Sequence, residues 1–336
     1  MLQPRKILIF ALLLIAAGVC VHAQSNTQHA FLWSPTTGMQ DLGSLGGNSY
    51  AYSINNSGHV VGYYIDGFGN SRAFLWTSSG GMRDLGTLGG SVSGASGINS
   101  KGQVVGSATT ASGDAHAFIW TSATGMKDLG TLGGNFSDAA AISEHGTVAG
   151  SSARSGNTRT VAFFWTPKVG MHGFGTLGYR YSYGYAINAA GTVVGASPLN
   201  SNLTPNHAFI HPAGGHITDL GTLGGDDSTA LGINASQQVV GWSSVSGVYP
   251  VHAFAWKQGT VMQDLGTLGG QSSAAQAINQ AGQIVGFSDL STSGTTHAVL
   301  WTGANQIQDL GTLGGTYAVA KGINDMGQVV GWSSLP

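Results

Sequence analysis

Asp84-Leu85-Gly86-Thr87-Leu88-Gly89-Gly90 is the string that organises this chain. The same tract begins at Asp128, Asp219, Asp264 and Asp309, as DLGSLGG at Asp41, and in worn form as GFGTLGY at Gly173. Successive starts lie 43 to 46 residues apart, so seven near-identical units fill almost the whole chain. A period of that length marks an array or a propeller, in which each unit is one supersecondary piece that cannot bury its apolar face alone.

Working outward from Asp84, each unit reads as four short strands. Ala73-Phe74-Leu75-Trp76 is an apolar run of β-favouring residues, and Ser79-Gly80-Gly81 turns the chain. Met82 to Leu88 reads as a second strand, with Gly89-Gly90 opening a loop. Ala95 to Asn99 reads as the third strand and Gln103 to Gly106 as the fourth, joined by Asn99-Ser100-Lys101-Gly102. Short runs set off by Gly, Ser and Asn make an antiparallel meander. No segment keeps helical periodicity over three turns.

The Asn-x-x-Gly turn returns at Asn55, Asn188, Asn279 and Asn324. Asn starts such a turn by bonding its side chain to the backbone ahead, and Gly supplies the positive φ that ends it. Ser143 stands for Asn in the third unit, and Gln237 for Gly in the fifth, where it should carry strain.

Four strands per unit, seven times over, predict an all-β fold, a seven-bladed β-propeller of about 45-residue repeats. The chain enters on His-Ala-Phe-Leu-Trp and ends just after Val-Val-Gly. If Ala-x-x-Ile-Asn is the innermost strand of a blade, the two ends share one sheet as two strands plus two, leaving no free edge. The alternative, an open β-solenoid, needs capped ends, and neither the first nor the last unit is atypical.

Composition narrows the function classes. Charged residues are only 8% of the chain and Gly contributes 55 of 336, which suits a β-rich body with a Ser, Thr and Asn surface rather than a disordered chain. No basic tract exists, so nucleic acid is not an expected partner. Arg5 and Lys6, the apolar run Ile7 to Val19 and Val21-His22-Ala23 read as a signal peptide over 1–23, cleaved after Ala23. That leaves 24–336 as one repeat domain, secreted or periplasmic, monomeric, and not held in a membrane after cleavage. Cys20, the only cysteine, lies in the signal segment behind Val19, where a lipoprotein signal would place a small residue. The mature chain has no thiol chemistry.

The strings Ala-Ile-Asn, Gly-x-Val-Val-Gly, His-Ala-Phe-x-Trp and Asp-Leu-Gly-Thr-Leu-Gly-Gly, recurring in order from 29 to 334, resemble the HAF repeat, an extracellular repeat of bacteria. His-Ala-Phe stands at His29, His116, His207 and His252, with Arg72, Val161 and His297 (HAV) as departures. The resemblance implies secretion and a propeller-like array. It implies no catalysis.

Candidate function lies where the copies differ. The links after Val-Val-Gly vary in length and content, and variable loops on a shared scaffold commonly carry binding. All ten Tyr fall in or beside variable stretches. The expected ligand-binding residues are Tyr50, Tyr63, Tyr64, Tyr179, Arg180, Tyr181, Tyr183, Tyr185 and Tyr317. The fourth unit is the outlier, running Arg180-Tyr181-Ser182-Tyr183-Gly184-Tyr185 after its worn tract. Tyr and Arg there suit stacking on a sugar ring or anchoring a protein.

The recurring Asp and His read as structural, because a catalytic pair is needed once and these recur in nearly every unit. The repeated Trp33, Trp76, Trp120, Trp165, Trp256 and Trp301 read as packing between blades. Adjacent Asp226 and Asp227 point opposite ways on a strand, Asp66 to Asn70 is a weak calcium loop, and the histidines sit on separate blades, so no metal and no cofactor is expected. The leading expectation is a non-enzymatic secreted propeller binding an extracellular carbohydrate or protein. The alternatives are a polysaccharide lyase or hydrolase on this scaffold, and a structural envelope protein.

Overall fold

A computed structural model describes residues 27–201, 203–304 and 306–336; the expected signal peptide lies outside them. Strand pairing gives five four-stranded antiparallel sheets and one eight-stranded sheet made of two antiparallel groups of four, and these groups are numbered here as separate sheets. Sheet 1 joins the two chain ends, with Gln28–Ser34 and Gly38–Asp41 beside Ala318–Ile323 and Val329–Ser334. Sheets 2 to 7 follow in chain order, and one parallel bridge between Phe136 and Ala115 links sheets 3 and 4. Phe31 pairs with Gly331 and Leu32 with Val330, so the two-plus-two sheet expected from the termini forms.

The innermost strands are Ser49–Ile54, Gly89–Ile98, Gly133–Ile142, Tyr183–Ile187, Ser228–Ile233, Gly269–Ile278 and Ala318–Ile323. Each contacts the next, and the last contacts the first, so they ring a common axis and the fold is a β-propeller. The core lies between neighbouring sheets. Val61, Ala73 and Leu85 of sheet 2 pack against Ile98, Val104, Phe118 and Trp120 of sheet 3. The Phe of His-Ala-Phe is fully buried at Phe31, Phe74, Phe118, Phe163, Phe209 and Phe254.

Two polar devices join the sheets. In six of the junctions, a buried Ser in or just before an innermost strand accepts from the Ala N–H of the preceding sheet and donates to the glycine carbonyl of the crossing link. Ser93 Oγ, for example, accepts from Ala73 N at 2.9 Å and donates to Gly86 O at 2.6 Å. Ser49, Ser137, Ser182, Ser228 and Ser273 repeat it. Ala318 takes that place in the last unit, and there Ala298 pairs in the ladder with Gly311 instead. The second device is the turn asparagine. Its Oδ1 accepts from the turn backbone, as Asn99 does from Lys101 N and Gln103 N. Its Nδ2 reaches the backbone carbonyl of the same position one sheet on: Asn55 to Asn99, Asn99 to Ser143, Asn188 to Asn234, Asn234 to Asn279, Asn279 to Asn324, and Asn324 back to Asn55, all at 3.1 to 3.3 Å. Only Ser143, with no amide, leaves its step to Asn188 unbridged.

Two sequence expectations need correction. Met82 to Leu88 is not one strand: the strand ends at Asp84, whose Oδ1 accepts from Gly86 N, and Gly86 takes a φ of +86°. An Asp side chain capping the backbone two residues on, followed by a left-handed residue, ends extended structure. In sheets 3, 4 and 7 the innermost strand instead begins at the Gly-Gly read as a loop, at Gly89, Gly133 and Gly269.

Gln237 sits at a φ of +60°, where the other units have Gly, with its Nε2 on Thr192 Oγ1 at 3.3 Å. A left-handed conformation costs a non-glycine residue about 1–2 kcal/mol. Gln237→Gly is therefore expected to stabilise by about 1 kcal/mol after the weak hydrogen bond and glycine's added chain entropy are deducted. A thermal melt no higher than that of the parent protein would contradict this.

Candidate functional site

Because strands alternate in direction, the Asn-x-x-Gly and Thr-x-x-Gly turns share one face of the ring. The links after Val-Val-Gly and the Leu-Gly-Thr-Leu crossings share the other, here the loop face.

The His and Asp of each unit meet on adjacent outer strands. His29 and Asp41, His116 and Asp128, His207 and Asp219, and His297 and Asp309 are each 2.8 Å apart, and His252 and Asp264 are 2.7 Å apart. Arg72 substitutes for His and holds Asp84 by both carboxylate oxygens. Each pair is separate, and the Asp also caps the Gly two residues on. Among the described residues no three His, Asp or Glu side chains gather where they could hold a metal ion. Asp66 serves its own turn, accepting from Phe68 N and Asn70 N at 2.9 Å.

The pair of His207 and Asp219 should leave a mark on pH dependence. The hydrogen bond to Asp219 raises the His207 imidazole above its ordinary 6.5. Burial pushes Asp219 up, but His207 and the Gly221 N–H outweigh it and hold the carboxyl below its ordinary 3.8. The histidine part of the stabilisation is complete below pH 6.5 and is lost as pH rises through the raised value. The aspartate part is complete above pH 3.8 and is lost as pH falls through the depressed value. The stability gap between the parent protein and His207→Gln is thus expected to be widest at about pH 4 to 6.5 and to narrow on either side. A gap that does not change with pH would contradict the pairing.

The tyrosines form two groups, both toward the loop face. In the first, the Tyr50 ring lies 4.8 Å from Tyr63 and 5.4 Å from Trp332, and Tyr317 stacks on Trp332 at 5.0 Å. The Tyr50 hydroxyl donates to Gln28 Oε1 at 2.8 Å. Burial raises Tyr50 and Tyr63 and pushes Tyr317 up to about 12. Tyr64 does not belong to a binding surface: it is 7% exposed within the core of sheet 2, and its hydroxyl donates to Asp84 at 2.7 Å. Alternation explains this, since Tyr63 and its neighbour must point to opposite faces of the sheet.

The second group is the outlier unit. Tyr179 and Tyr181 are 6.0 Å apart, Tyr183 stacks with Tyr185 at 6.5 Å, and the Arg180 guanidinium lies 5.9 Å from the Tyr179 ring centre. Thr158, Arg159 and Arg180 line a depression of about 350 Å³ beside them.

Sequence reasoning missed the lining of the axis. Every innermost strand carries a β-bulge between its Ala (or Gly) and the residue two further on. The extra residue is Tyr52, Ser96, Ala140, Tyr185, Leu231, Gln276 or Lys321. Lys321 Nζ donates to Gln276 Oε1 at 2.9 Å and lies 5.7 Å from the Tyr52 ring centre. Burial alone drops the lysine to about 8, and burial, partly offset by a hydrogen bond with Tyr63, lifts Tyr52 to about 12. Asp138, on the innermost strand of sheet 4, is raised by burial despite a hydrogen bond from Ser107. The available signal was the first x of Ala-x-x-Ile-Asn, which changes in every unit while its neighbours repeat.

No protein family model and no curated protein sequence matches the chain. Solved structures do. A putative TolB from Agrobacterium tumefaciens aligns at 11% identity over 93% of this chain and 100% of that one, with a TM-score of 0.53. The β-propeller domain of the Trilobed protease from Pyrococcus furiosus, described as having an open velcro topology, aligns at 10% identity over 82% and 88%, with a TM-score of 0.55. TolB from Acinetobacter baumannii aligns at 13% identity and a TM-score of 0.47, and the chain spans 61% of it. At such identity the first two likenesses define the class of fold, a β-propeller. In this chain, by contrast with an open topology, the first strand is hydrogen-bonded to the last. Among the described residues no helix is long and apolar enough to cross a membrane.

Proposed function

We propose that this is an exported, non-enzymatic propeller that binds an extracellular carbohydrate or protein on its loop face, chiefly through the fourth unit. The reading rests on one observation: a ring of near-identical sheets carries, at a single unit, a Tyr179 ring flanked by Tyr181 and Arg180 beside a surface depression. Aromatic rings and guanidinium groups offer apolar area with polar tips, and they dominate recognition surfaces. The Tyr50, Tyr63 and Tyr317 group supports the same face but is largely occupied by its own stacking. A secretory signal over 1–23 accounts for export, and the HAF-like repeat agrees with it.

A glycan array and an extracellular-protein panel test the reading. Tyr179→Ala with Tyr181→Ala is expected to weaken the detected ligand by about tenfold or more, since each buried aromatic anchor is worth about 1–2 kcal/mol. Unchanged binding by a folded double variant would place the site elsewhere.

A further inference from the structure

We propose that the depression of the fourth unit is a subsite for the acidic groups of a polysaccharide, held by Arg159 and Arg180, with Arg154 as the third positive charge of the same unit. The inference rests on the binding role proposed above and adds the charge of the ligand.

Three departures from the repeat fall in this unit, and two of them, Arg159 and Arg180, line the depression. Counting from Val-Val-Gly, the place of Arg154 is held elsewhere by Asp66, Thr110, Leu199, Val245, Leu290 and Leu335. Two residues before the His-Ala-Phe position, where Arg159 stands, the other units have Thr27, Asn70, Asp114, Pro205, Pro250 and Thr295. Seven residues after the tract start, where Arg180 stands, the units of equal length have Ser91, Asn135, Asp226, Gln271 and Thr316. No other copy has a basic residue at any of these places.

In the same unit the acidic partner is gone. Gly173 replaces the repeat Asp and Val161 replaces its His. Arg154 moves into the vacated space: a Cβ on Gly173 would stand 3.0 Å from Arg154 Nη2. Arg154 Nε is enclosed and has no hydrogen-bond partner among the described residues. Arg154 also sits directly across the ladder from Arg159, its N–H on the Arg159 carbonyl at 2.9 Å. Like charges facing each other across two strands repel. Among the described residues none of the three arginines has a carboxylate within ion-pair distance, whereas Arg72 is paired with Asp84.

Such a constellation is complete when an anion enters it. Guanidinium groups bind carboxylate and sulfate by paired N–H donors, and an unpaired enclosed N–H gains most from an incoming acceptor. Tyr179 and Tyr181 offer ring faces beside the charges, which is the combination an acidic sugar needs. A depression of about 350 Å³ takes a sugar residue or two. A folded partner would need roughly 800 Å² of matching surface, so the polysaccharide is favoured over a protein.

The test measures binding of the protein to polygalacturonate, dextran sulfate, dextran and polyglutamate. Polygalacturonate or dextran sulfate should bind, and binding should fall steeply from about 50 to about 500 mM salt. Whichever of the two binds more tightly identifies carboxylate or sulfate as the recognised group. Arg159→Ala with Arg180→Ala, both on exposed side chains, should weaken binding by about tenfold or more, and the paired Lys substitutions should restore only part. Arg154→Met should weaken it as well. If dextran binds as tightly and the arginine variants change nothing, while Tyr179→Ala with Tyr181→Ala abolishes binding, the acidic subsite is wrong and the binding role stands. Polyglutamate binding as tightly as either acidic polymer, with the same arginine dependence, would overturn the polysaccharide. No binding to any of the four would overturn the acidic subsite, and only an empty glycan and protein screen would also remove the binding role.

Discussion

Gly331→Ala is expected to destabilise the protein by a large part of its total stability. A Cβ there would stand 1.9 Å from the Val319 carbonyl oxygen and 2.9 Å from the Ala320 Cα, and both atoms are backbone in the middle of the closing sheet. The cause is the neighbouring bulge. Gly331 pairs with Ala320, and the extra residue, Lys321, bends the innermost strand so that its carbonyl crosses the space a side chain would take. Backbone cannot yield as a side-chain tip can. Overpacking of this kind costs more than about 4 kcal/mol, against a total stability of about 5–15 kcal/mol for a domain. Gly62, Gly106, Gly150, Gly195, Gly241 and Gly286 meet the same carbonyl at 1.8 to 2.0 Å, so the effect should hold in every sheet. Gly38→Ala is the contrast: φ is +66° but nothing lies within 4 Å, and the expected loss is only about 1–2 kcal/mol. Urea melts of the two variants separate the mechanisms. Equal midpoints would mean that conformational freedom, and not close approach, governs the Val-Val-Gly glycine.

That glycine shows where sequence reading stopped. The period, the four strands and the shared sheet of the two ends were legible, because each follows from local patterns of apolar residues and turn formers. Gln237 was legible as a strained turn residue for the same reason. The glycine of Val-Val-Gly was not, since its need arises from a bulge in the paired strand. The crossing link was misread as strand because Leu-Gly-Thr-Leu alternates like one, and only the Asp84 cap on Gly86 ends it. At the candidate site, the four tyrosines of unit four stood out by composition. Tyr64 was misassigned because its exposure depends on which face the strand presents, and that is set by the register with Arg72 and Ser49. Of the arginines, Arg180 was legible beside those tyrosines, whereas Arg159 was hidden because only the fold brings its strand end to the crossing link that carries Arg180.

The turn asparagine carries the last case, since its turn-forming half was readable and its ring-forming half was not. Asn324 is 3% exposed, accepts from Gln328 N at 2.9 Å and Met326 N at 3.1 Å, and donates to Gln328 Oε1 at 2.8 Å and Asn55 O at 3.1 Å. The last bond ties the final innermost strand to the first. Asn324→Ala empties all four positions and is expected to cost about 3 kcal/mol, because buried groups are left without partners. Asn324→Asp keeps the shape and the turn acceptor but sets a carboxylate oxygen against the Asn55 carbonyl. Repulsion and the cost of burying an unpaired charge should make this near-isosteric change the worse of the two. If the turn alone mattered, Asp would be well tolerated, since it begins such turns as readily as Asn. The order of the two variants in urea melts therefore decides between a local and a ring-wide role. Ser143→Asn supplies the complementary measurement. Ser143 Oγ serves only Thr147 N, and an amide there would reach toward Asn188 O, as its six counterparts do to theirs. It should stabilise by about 1 kcal/mol, the usual net value of one added hydrogen bond, and a loss instead would mean that sheets 4 and 5 stand too far apart for the amide to bridge.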